Sequence, residues 1–265
     1  MRVIPVIDLR AGRAVHARAG LRDAYAAVVS PLVDEPGDAL GLARAYRERF
    51  GLDELYVADL DAITAGRPQR ELIRALARAG GAIMLDAGVT GALFARTLIG
   101  DGVARVIVGL ETLASLEELE VIAHAVGRRR VVFSLDLVNG APVTRPDARV
   151  PASPAAIVRG AVDAGAGAVI MLDLARVGTG SGVDLALVTR LADALARGAP
   201  GVELFAGGGV RDRGDLARLA DAGCAGTLVA TALHEGRLTR ADLAAIQTRR
   251  GRPGGRPEDH PSSSR

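Results

Sequence analysis

Two aspartates end apolar runs whose surroundings in the sequence are alike. Asp8 closes PVID and Asp136 closes FSLD, and each is followed by a leucine, a glycine and a valine at matching distances. Two carboxylates that face each other across one cavity can act as general acid and general base. We therefore predict Asp8 and Asp136 as catalytic residues. For Asp59, Asp86 and Asp173, which also end apolar runs, capping of the next helix is an equally expected role.

A glycine-rich segment near the C-terminal end could bind a phosphate group. In AGGGV, Gly207, Gly208 and Gly209 follow an apolar run and precede a helical pattern, so bare backbone N–H groups can approach an anion. The last apolar run is followed by Ala230 and Thr231, two small residues at another predicted helix start. We predict that these residues form a phosphate site, although a run of glycines can also serve only as a tight turn.

Two earlier segments match this pattern and predict a second phosphate site. LDAGV contains Gly88 and VGLETL contains Gly109, each close to the end of an apolar run. Asp86 and Glu111 stand at positions of these segments where a phosphate site needs small neutral residues, and both repel an anion. The sequence therefore leaves open whether the second site still binds a phosphate.

The elements that position these residues follow from the hydrophobic pattern. Short apolar runs alternate with longer segments that have apolar residues at helical spacing. Near-continuous apolar runs are typical of parallel strands that are buried on both faces. Such a pattern over about 250 residues predicts a (β/α)8 TIM barrel, with a doubly wound open sheet as the alternative. The runs are residues 2–8, 54–59, 82–86, 105–109, 130–136, 168–173, 202–207 and 226–230.

An internal repeat divides the predicted barrel into two halves. The aligned segments are PVIDLRAGRAV (5–15) with FSLDLVNGAPV (133–143), YVADL (56–60) with IMLDL (170–174), and LDAGV (85–89) with AGGGV (206–210). The architecture is therefore predicted as two fused half-barrels. Active sites of such barrels lie on the loops that follow the strands. Asp8 and Asp136, which end the first and fifth strands, would then face each other across one mouth.

Composition excludes several kinds of chemistry. All 33 basic residues are arginine, so Schiff-base aldolases, pyridoxal-phosphate enzymes and P-loop NTPases, which need a lysine amine, are excluded. The single cysteine excludes disulfides, thiolate zinc clusters and CxxC redox sites. No His, Asp and Glu residues have the spacing typical of metal ligands, so we predict no catalytic metal. A net charge of +2 gives no indication of nucleic-acid binding.

We expect a cytoplasmic protein with one folded domain. No apolar run reaches the roughly 20 residues of a membrane span, and MRVIPVIDL lacks the features of a secretion signal. Residues 249–265, RRGRPGGRPEDHPSSSR, are free of apolar residues and rich in Pro, Gly, Ser and Arg. We predict a barrel domain at 1–248 and a disordered basic tail at 249–265. The oligomeric state is left open.

The combination of these motifs resembles the HisA/HisF family of histidine biosynthesis. The resemblance rests on PVIDLRAGRAV, SLDLVNG, GTGSG after the sixth strand, AGGGV and the last strand segment. It implies a twofold-repeated barrel that binds a substrate with two phosphates, without a metal or organic cofactor. For Asp8 and Asp136 it implies acid and base roles in the rearrangement of an aminoaldose to an aminoketose, or in imidazole ring closure in the cyclase branch. It also implies roles in substrate binding for Asp173, Gly178 and Thr179.

The chain departs from that family at several positions. Leu172 and Val177 stand where the isomerase branch has Thr and Asp, and no lysine follows the first strand as it does in the cyclase branch. We therefore predict a divergent HisA-like isomerase of a phosphorylated aminosugar. One alternative is a paralogue that acts on another phosphorylated substrate in one-carbon (methanopterin- or methanofuran-type) cofactor synthesis. Another is a catalytically silent barrel that binds a phosphometabolite.

Four further polar residues could reach the mouth of the barrel. His16 follows the first strand and His234 the last, while Arg145 and Arg176 lie in the loops after the fifth and sixth strands. Arginines at these positions could clamp a substrate anion. Packing within the loops, or exposure to solvent, is an alternative role for all four.

Overall fold

Parallel strands close into a barrel in the part of the chain that the structure describes. The structure is a computed structural model, and it describes residues 1–21, 24–79, 81–151 and 153–248. The predicted tail at 249–265 lies outside the described residues. The strands are β1 (Arg2–Arg10), β2 (Arg13–Val15), β3 (Glu54–Asp59), β4 (Ala82–Asp86), β5 (Arg105–Gly109), β6 (Val131–Val138), β7 (Ala141–Pro142), β8 (Ala168–Asp173), β9 (Glu203–Gly207) and β10 (Gly226–Val229).

The order of the strands confirms the predicted TIM barrel. Among the described residues, β1, β3, β4, β5, β6, β8, β9 and β10 follow one another around the sheet, each pair being parallel. The last strand pairs with the first, with Gly226 opposite Arg2 and Val229 opposite Pro5. This pairing closes the sheet and excludes the open-sheet alternative.

Amphipathic helices cover the outside of the barrel. The helices are α1 (Ala39–Phe50), α2 (Leu60–Ala65), α3 (Arg70–Arg78), α4 (Ala92–Gly100), α5 (Leu116–Val126), α6 (Pro154–Asp163), α7 (Leu185–Gly198), α8 (Arg213–Asp221), α9 (Thr231–His234) and α10 (Arg240–Thr248). At the starts of α1, α2, α6, α7 and α8, a side chain caps the first turn. Asp184, for example, accepts a hydrogen bond from the backbone N–H of Leu187 at 3.0 Å, which satisfies a donor in the first turn of α7.

The hydrophobic core has two layers. The inner cluster contains Ile4, Ile107, Phe205 and Leu228 from four different strands, so it fills the inside of the barrel. The outer cluster contains alternate strand residues together with the apolar faces of the helices. Strands buried on both faces explain the near-continuous apolar runs of the sequence.

Each half of the barrel begins with the same hairpin, as the internal repeat predicts. The turn between β1 and β2 has positive φ angles at Ala11 (49°) and Gly12 (78°), and the turn between β6 and β7 has them at Asn139 (52°) and Gly140 (80°). Two consecutive residues with positive φ are typical of a tight two-residue hairpin. The repeat therefore extends to backbone conformation beside both predicted catalytic aspartates.

Charged side chains cross the inside of the barrel at the end opposite to the mouth. Arg2 on β1 forms ion pairs with Glu54 on β3 (2.8 Å) and with Glu203 on β9, and Arg105 on β5 pairs with Glu203 at 2.7 Å. Because β5 and β9 are not neighbours in the sheet, the last pair spans the barrel. The Arg2 guanidinium also lies 4.9 Å from the centre of the Phe205 ring. We call these four charged residues the basal cluster.

Candidate active site

A cavity of about 710 Å³ lies at the ends of the strands where the loops begin. It takes residues from both halves of the barrel, which agrees with the position of active sites in this fold. Its polar lining includes Asp8, Asp86, Glu111, Asp136, His16, Tyr56, Thr231, His234 and Arg237. Its remaining lining is mostly aliphatic and glycine, and it includes Leu172 and Val177.

The two predicted catalytic aspartates both line this cavity. Asp8 and Asp136 lie on β1 and β6, which are separated by three strands in either direction around the barrel, so they approach from opposite sides. Asp136 is 5% exposed and accepts a hydrogen bond from the hydroxyl of Ser134 at 2.9 Å. Asp8 is half-buried, between the hairpin partner Val15 and Ala58 on β3. The structure thus places both carboxylates at one cavity, on strands that face each other across the barrel.

The glycine-rich segment forms the wall of the cavity after β9. Gly208 and Gly209 have φ angles of +91° and +86° and line the cavity. A Cβ atom on Gly208 would lie 2.7 Å from the carbonyl oxygen of Asp173, and one on Gly209 would lie 2.9 Å from the carbonyl oxygen of Gly182. The two glycines therefore let this loop pack directly on the backbone of its neighbour.

The other residues predicted for the phosphate site divide into two groups. Ala230, Thr231 and Gly178 line the cavity beside Gly208 and Gly209. Gly207 lies below the lining, where a Cβ would be 2.9 Å from the side chain of Leu172. Thr179 is exposed, and its hydroxyl donates to the carbonyl oxygen of Arg176 at 2.8 Å.

Asp173 is engaged within its own loop and does not line the cavity. Its carboxylate accepts hydrogen bonds from the backbone N–H groups of Ala175 (3.1 Å) and Asn139 (3.2 Å), and from Arg176 at 3.3 Å. Asp59 has the same kind of role, because it caps α2 by accepting from the N–H of Ala62 at 3.1 Å. For these two aspartates the structure favours the capping role.

The cavity wall after β4 and β5 is acidic. Asp86, which is 9% exposed, and Glu111 both line the cavity. The predicted second-site residues Gly88 and Gly109 lie behind that lining. Gly88 donates its N–H to Asp86 at 3.1 Å, and a Cβ on Gly109 would lie 3.5 Å from a carboxylate oxygen of Asp136. We call Asp86 and Glu111, with the adjacent Tyr56, the acidic half of the cavity.

Tyr56 was not singled out by the sequence. Burial raises the pKa of its phenol well above the ordinary value, and the negative charges of Asp86, Asp136, Asp8 and Glu111 raise it further. The phenol is therefore protonated at neutral pH and can donate a hydrogen bond beside these carboxylates. One signal for Tyr56 was available in the sequence. It stands at the start of the repeated segment YVADL, where the matching segment IMLDL has an isoleucine.

Two histidines link the cavity to the elements beneath it. The Nε2 atom of His16 lies 2.9 Å from the hydroxyl of Thr231. His234, which is 8% exposed, bonds through Nε2 to the Tyr46 hydroxyl (3.2 Å) and through Nδ1 to the Ser30 hydroxyl (3.0 Å). Burial, with a smaller contribution from His16, lowers the pKa of His234 to about 4, so its ring is neutral at physiological pH.

In the part of the chain that the structure describes, Arg237 is the arginine that lines the cavity, and the sequence did not single it out. It follows α9, forms an ion pair with Glu235, and lies beside Gly180 at the rim of the cavity. Of the arginines considered from the sequence, Arg145 pairs with Asp147 at 2.9 Å on an exposed loop, and Arg176 binds within its own loop. In the sequence, the available signal for Arg237 is that it follows the last strand by a few residues.

Two negative findings apply to the residues that the structure describes. Among them, no three His, Cys, Asp or Glu side chains are grouped so that they could hold a metal ion. None of the described helices has both the length and the apolar character needed to cross a membrane.

Comparison with known proteins places this barrel in a family. The family model described as histidine biosynthesis protein matches residues 2–239. The chain belongs to the histidine biosynthesis protein family. This membership confirms the resemblance seen in the sequence motifs.

Relatives in this family cover nearly the whole chain at modest identity. A 1-(5-phosphoribosyl)-5-((5-phosphoribosylamino)methylideneamino)imidazole-4-carboxamide isomerase of Rubrobacter xylanophilus is 34% identical over 92% of this chain and 95% of its own length. An isomerase of the same name from Deinococcus radiodurans is 31% identical over 89% and 94%. An uncharacterized protein of Methanocaldococcus jannaschii is 29% identical over 92% and 98%. The chain is thus a divergent member of the family.

Proposed function

We propose that this protein is an isomerase that converts a phosphorylated aminoaldose to an aminoketose, with Asp8 and Asp136 as acid and base. The observation that carries the proposal is the approach of these two carboxylates from opposite strands into one cavity. The isomerase names of family relatives that cover about nine-tenths of the chain support it.

The proposed reaction needs proton transfers at the ring oxygen, at C2 and at C1 of the sugar. One aspartic acid would protonate the ring oxygen, so that its bond to C1 breaks, the ring opens and a C1=N iminium ion forms. The other aspartate would remove the proton at C2, which gives an enaminol with a C1=C2 double bond. The aminoketose forms when C1 of the enaminol takes up a proton and the C2 hydroxyl loses one. A positioned acid or base typically contributes about 10²- to 10⁴-fold to the rate of such a step. The Ser134 hydroxyl would hold the Asp136 carboxyl in a fixed orientation for its transfer.

The phosphate of the substrate would bind at the loops after β9 and β10. Gly208 and Gly209 expose backbone there, Thr231 offers a hydroxyl, and Arg237 brings a positive charge to the rim. Backbone N–H groups and a guanidinium are common partners of phosphate oxygens. Gly178, which also lines the cavity, would contact the substrate from the loop after β8.

Turnover by aspartate variants tests this proposal. The imidazolecarboxamide aminoaldose named in the relatives would be supplied and followed by ultraviolet absorbance, with wild type, Asp8→Asn and Asp136→Asn. We expect each variant to lose about 10²- to 10⁴-fold in kcat while inorganic phosphate still binds in calorimetry. Asp163→Asn, which makes the same change at an exposed position at the end of α6, is the control. Full activity in both site variants would refute the catalytic assignment.

A second candidate is acid–base chemistry on a different phosphorylated substrate, as in one-carbon cofactor synthesis. It is favoured by Leu172 and Val177, which line the cavity with apolar side chains, and by the carboxylates of Asp86 and Glu111. The assay separates the candidates, because a folded wild type that binds phosphate but does not turn over the aminoaldose supports the second one. A catalytically silent barrel would in addition show no turnover of any phosphorylated sugar supplied.

A further inference from the structure

The pairing between neighbouring strands ends where the loops around the cavity begin. The pairing of β6 with β8 reaches Leu137 opposite Asp173, and the pairing of β8 with β9 reaches Leu172 opposite Gly207. The turn after β6 and the glycine loop after β9 both lie beyond these ends. The position of one loop relative to the other therefore depends on contacts that the loops make themselves.

Four hydrogen bonds in series join these two loops through the loop after β8. The N–H of Asn139, in the turn after β6, donates to Oδ1 of Asp173 at 3.2 Å. Arg176 donates from Nε to Oδ2 of Asp173 at 3.3 Å, and from Nη1 to the carbonyl oxygen of Gly182 at 3.0 Å. Gly182 donates its own N–H to the carbonyl oxygen of Gly209 at 3.0 Å. Asp173 and Arg176 therefore stand between the turn after β6 and the loop after β9.

The carboxylate of Asp173 is well placed to transmit a displacement between the loops. It is 2% exposed, so water competes little for its oxygens. Oδ1 accepts from the turn after β6, while Oδ2 accepts from the side chain that holds Gly182. Hydrogen bonds to a buried charged group are stronger than those between neutral groups, and loss of one partner leaves the charge poorly compensated. A movement of one loop is therefore opposed by the other.

We propose that Asp173 and Arg176 are positioning residues, through which a phosphate bound at the loop after β9 fixes the turn after β6 beside Asp136. The inference rests on the proposed function, because it joins the proposed phosphate site to one of the two proposed catalytic carboxylates. Asp136 belongs to the same hairpin as the turn, since its carbonyl oxygen accepts from the N–H of Val143 at 2.8 Å. A substrate held by its phosphate must present its reacting carbon accurately, because a misplacement of about 1 Å can cost about 10²-fold in rate.

The alternative role of the two residues is local. Asp173 also accepts from the N–H of Ala175 at 3.1 Å, so the pair could serve only to cap the loop after β8. In that case a ligand at the loop after β9 would leave the turn after β6 unaffected. The two roles therefore differ in the response of that turn to phosphate, and a contiguous chain of contacts needs this direct evidence of coupling.

Hydrogen–deuterium exchange with and without saturating inorganic phosphate tests the inference without any catalytic step. Exchange reports local opening of the backbone, loop by loop. In the wild type, we expect phosphate to slow exchange in a peptide that spans residues 207–211 and also in one that spans residues 137–143. The second effect should be about fivefold or more, which is the lower end of coupling between two sites.

Two variants identify the side chains that are responsible. Arg176→Gln breaks the connection between Asp173 and the Gly182 carbonyl, so phosphate should still protect the loop after β9 but no longer protect the turn after β6. Asp173→Asn removes the ion pair and should have the same effect. Arg190→Gln removes a positive charge from an exposed position on α7 and should respond to phosphate as the wild type does. Calorimetric binding of inorganic phosphate by each variant shows that it is folded.

Three outcomes would overturn the inference. The first is wild-type protein in which phosphate protects the loop after β9 but not the turn after β6, and this result needs no variant. The second is protection of the turn that persists in Arg176→Gln and in Asp173→Asn, because the coupling would then run through the sheet. Both of these leave the proposed function in place. The third is failure of inorganic phosphate to bind the wild type, which would refute the phosphate site of the proposed function as well.

Discussion

Replacement of Gly208 by alanine should both destabilise the barrel and weaken the binding of phosphate. The added Cβ would lie 2.7 Å from the carbonyl oxygen of Asp173, which is closer than real Cβ contacts come. A non-glycine residue at a φ of +91° costs about 1–3 kcal/mol in backbone strain. Overpacking adds about 1–3 kcal/mol, because the contact is with backbone that cannot rotate away. We expect the free energy of unfolding to fall by about 2–6 kcal/mol.

Gly127→Ala is the matched control for this change. Gly127 has almost the same φ, +90°, but a Cβ there would meet no atom within 4 Å. In Gly127→Ala, the free energy of unfolding should therefore fall only by the backbone strain of about 1–3 kcal/mol. In this size range 1 kcal/mol corresponds to about 2–4 °C in Tm, so the two variants should differ by roughly 5 °C in calorimetric melting. Phosphate binding should weaken only in Gly208→Ala. Equal melting temperatures and equal phosphate affinities would show that the loop does not depend on its contact with Asp173.

Two further predictions concern a histidine and an arginine. Burial holds the pKa of His234 at about 4 in the folded protein, against about 6.5 in the unfolded chain. As the pH falls, the unfolded chain therefore takes up the proton first. The free energy of unfolding then falls between about pH 6.5 and pH 4. The wild type should lose about 2 kcal/mol more than His234→Gln between pH 7 and pH 5 in urea unfolding, and equal losses would contradict the assignment. Arg237→Gln should weaken the binding of inorganic phosphate by about tenfold, while Arg240→Gln, at an exposed position nearby, should not. Unchanged affinity in Arg237→Gln would remove that residue from the phosphate site.

The fold and the positions of the two aspartates could be predicted because their signals are local and repeated. Strands buried on both faces leave continuous apolar runs, and the runs at 2–8 and 130–136 correspond closely to β1 and β6. The repeat then places Asp8 and Asp136 on opposite strands without any knowledge of side-chain contacts. Two hairpins with paired positive φ angles show that the repeat also holds in the backbone.

The remaining site residues depend on contacts between distant segments, which the sequence does not display. Asp173 has the same apolar context as Asp136, yet its carboxylate binds backbone N–H groups on two loops. Tyr56 matters only because four carboxylates from separate strands surround it. Arg237 reaches the rim of the cavity after an intervening helix, so no pattern of neighbouring residues indicates its position.

The basal cluster affects where a ligand can enter and leave the barrel. Ion pairs among Arg2, Glu54, Arg105 and Glu203 join four strands inside the barrel, and the Phe205 ring lies against the Arg2 guanidinium. These residues fill that end along the described strands, so we expect a ligand to enter and leave at the end of the barrel where Asp8 and Asp136 lie. Each product molecule must then vacate the same entrance before the next substrate arrives. We therefore expect the loops around the mouth, and not the opposite end of the barrel, to influence how long a ligand stays bound.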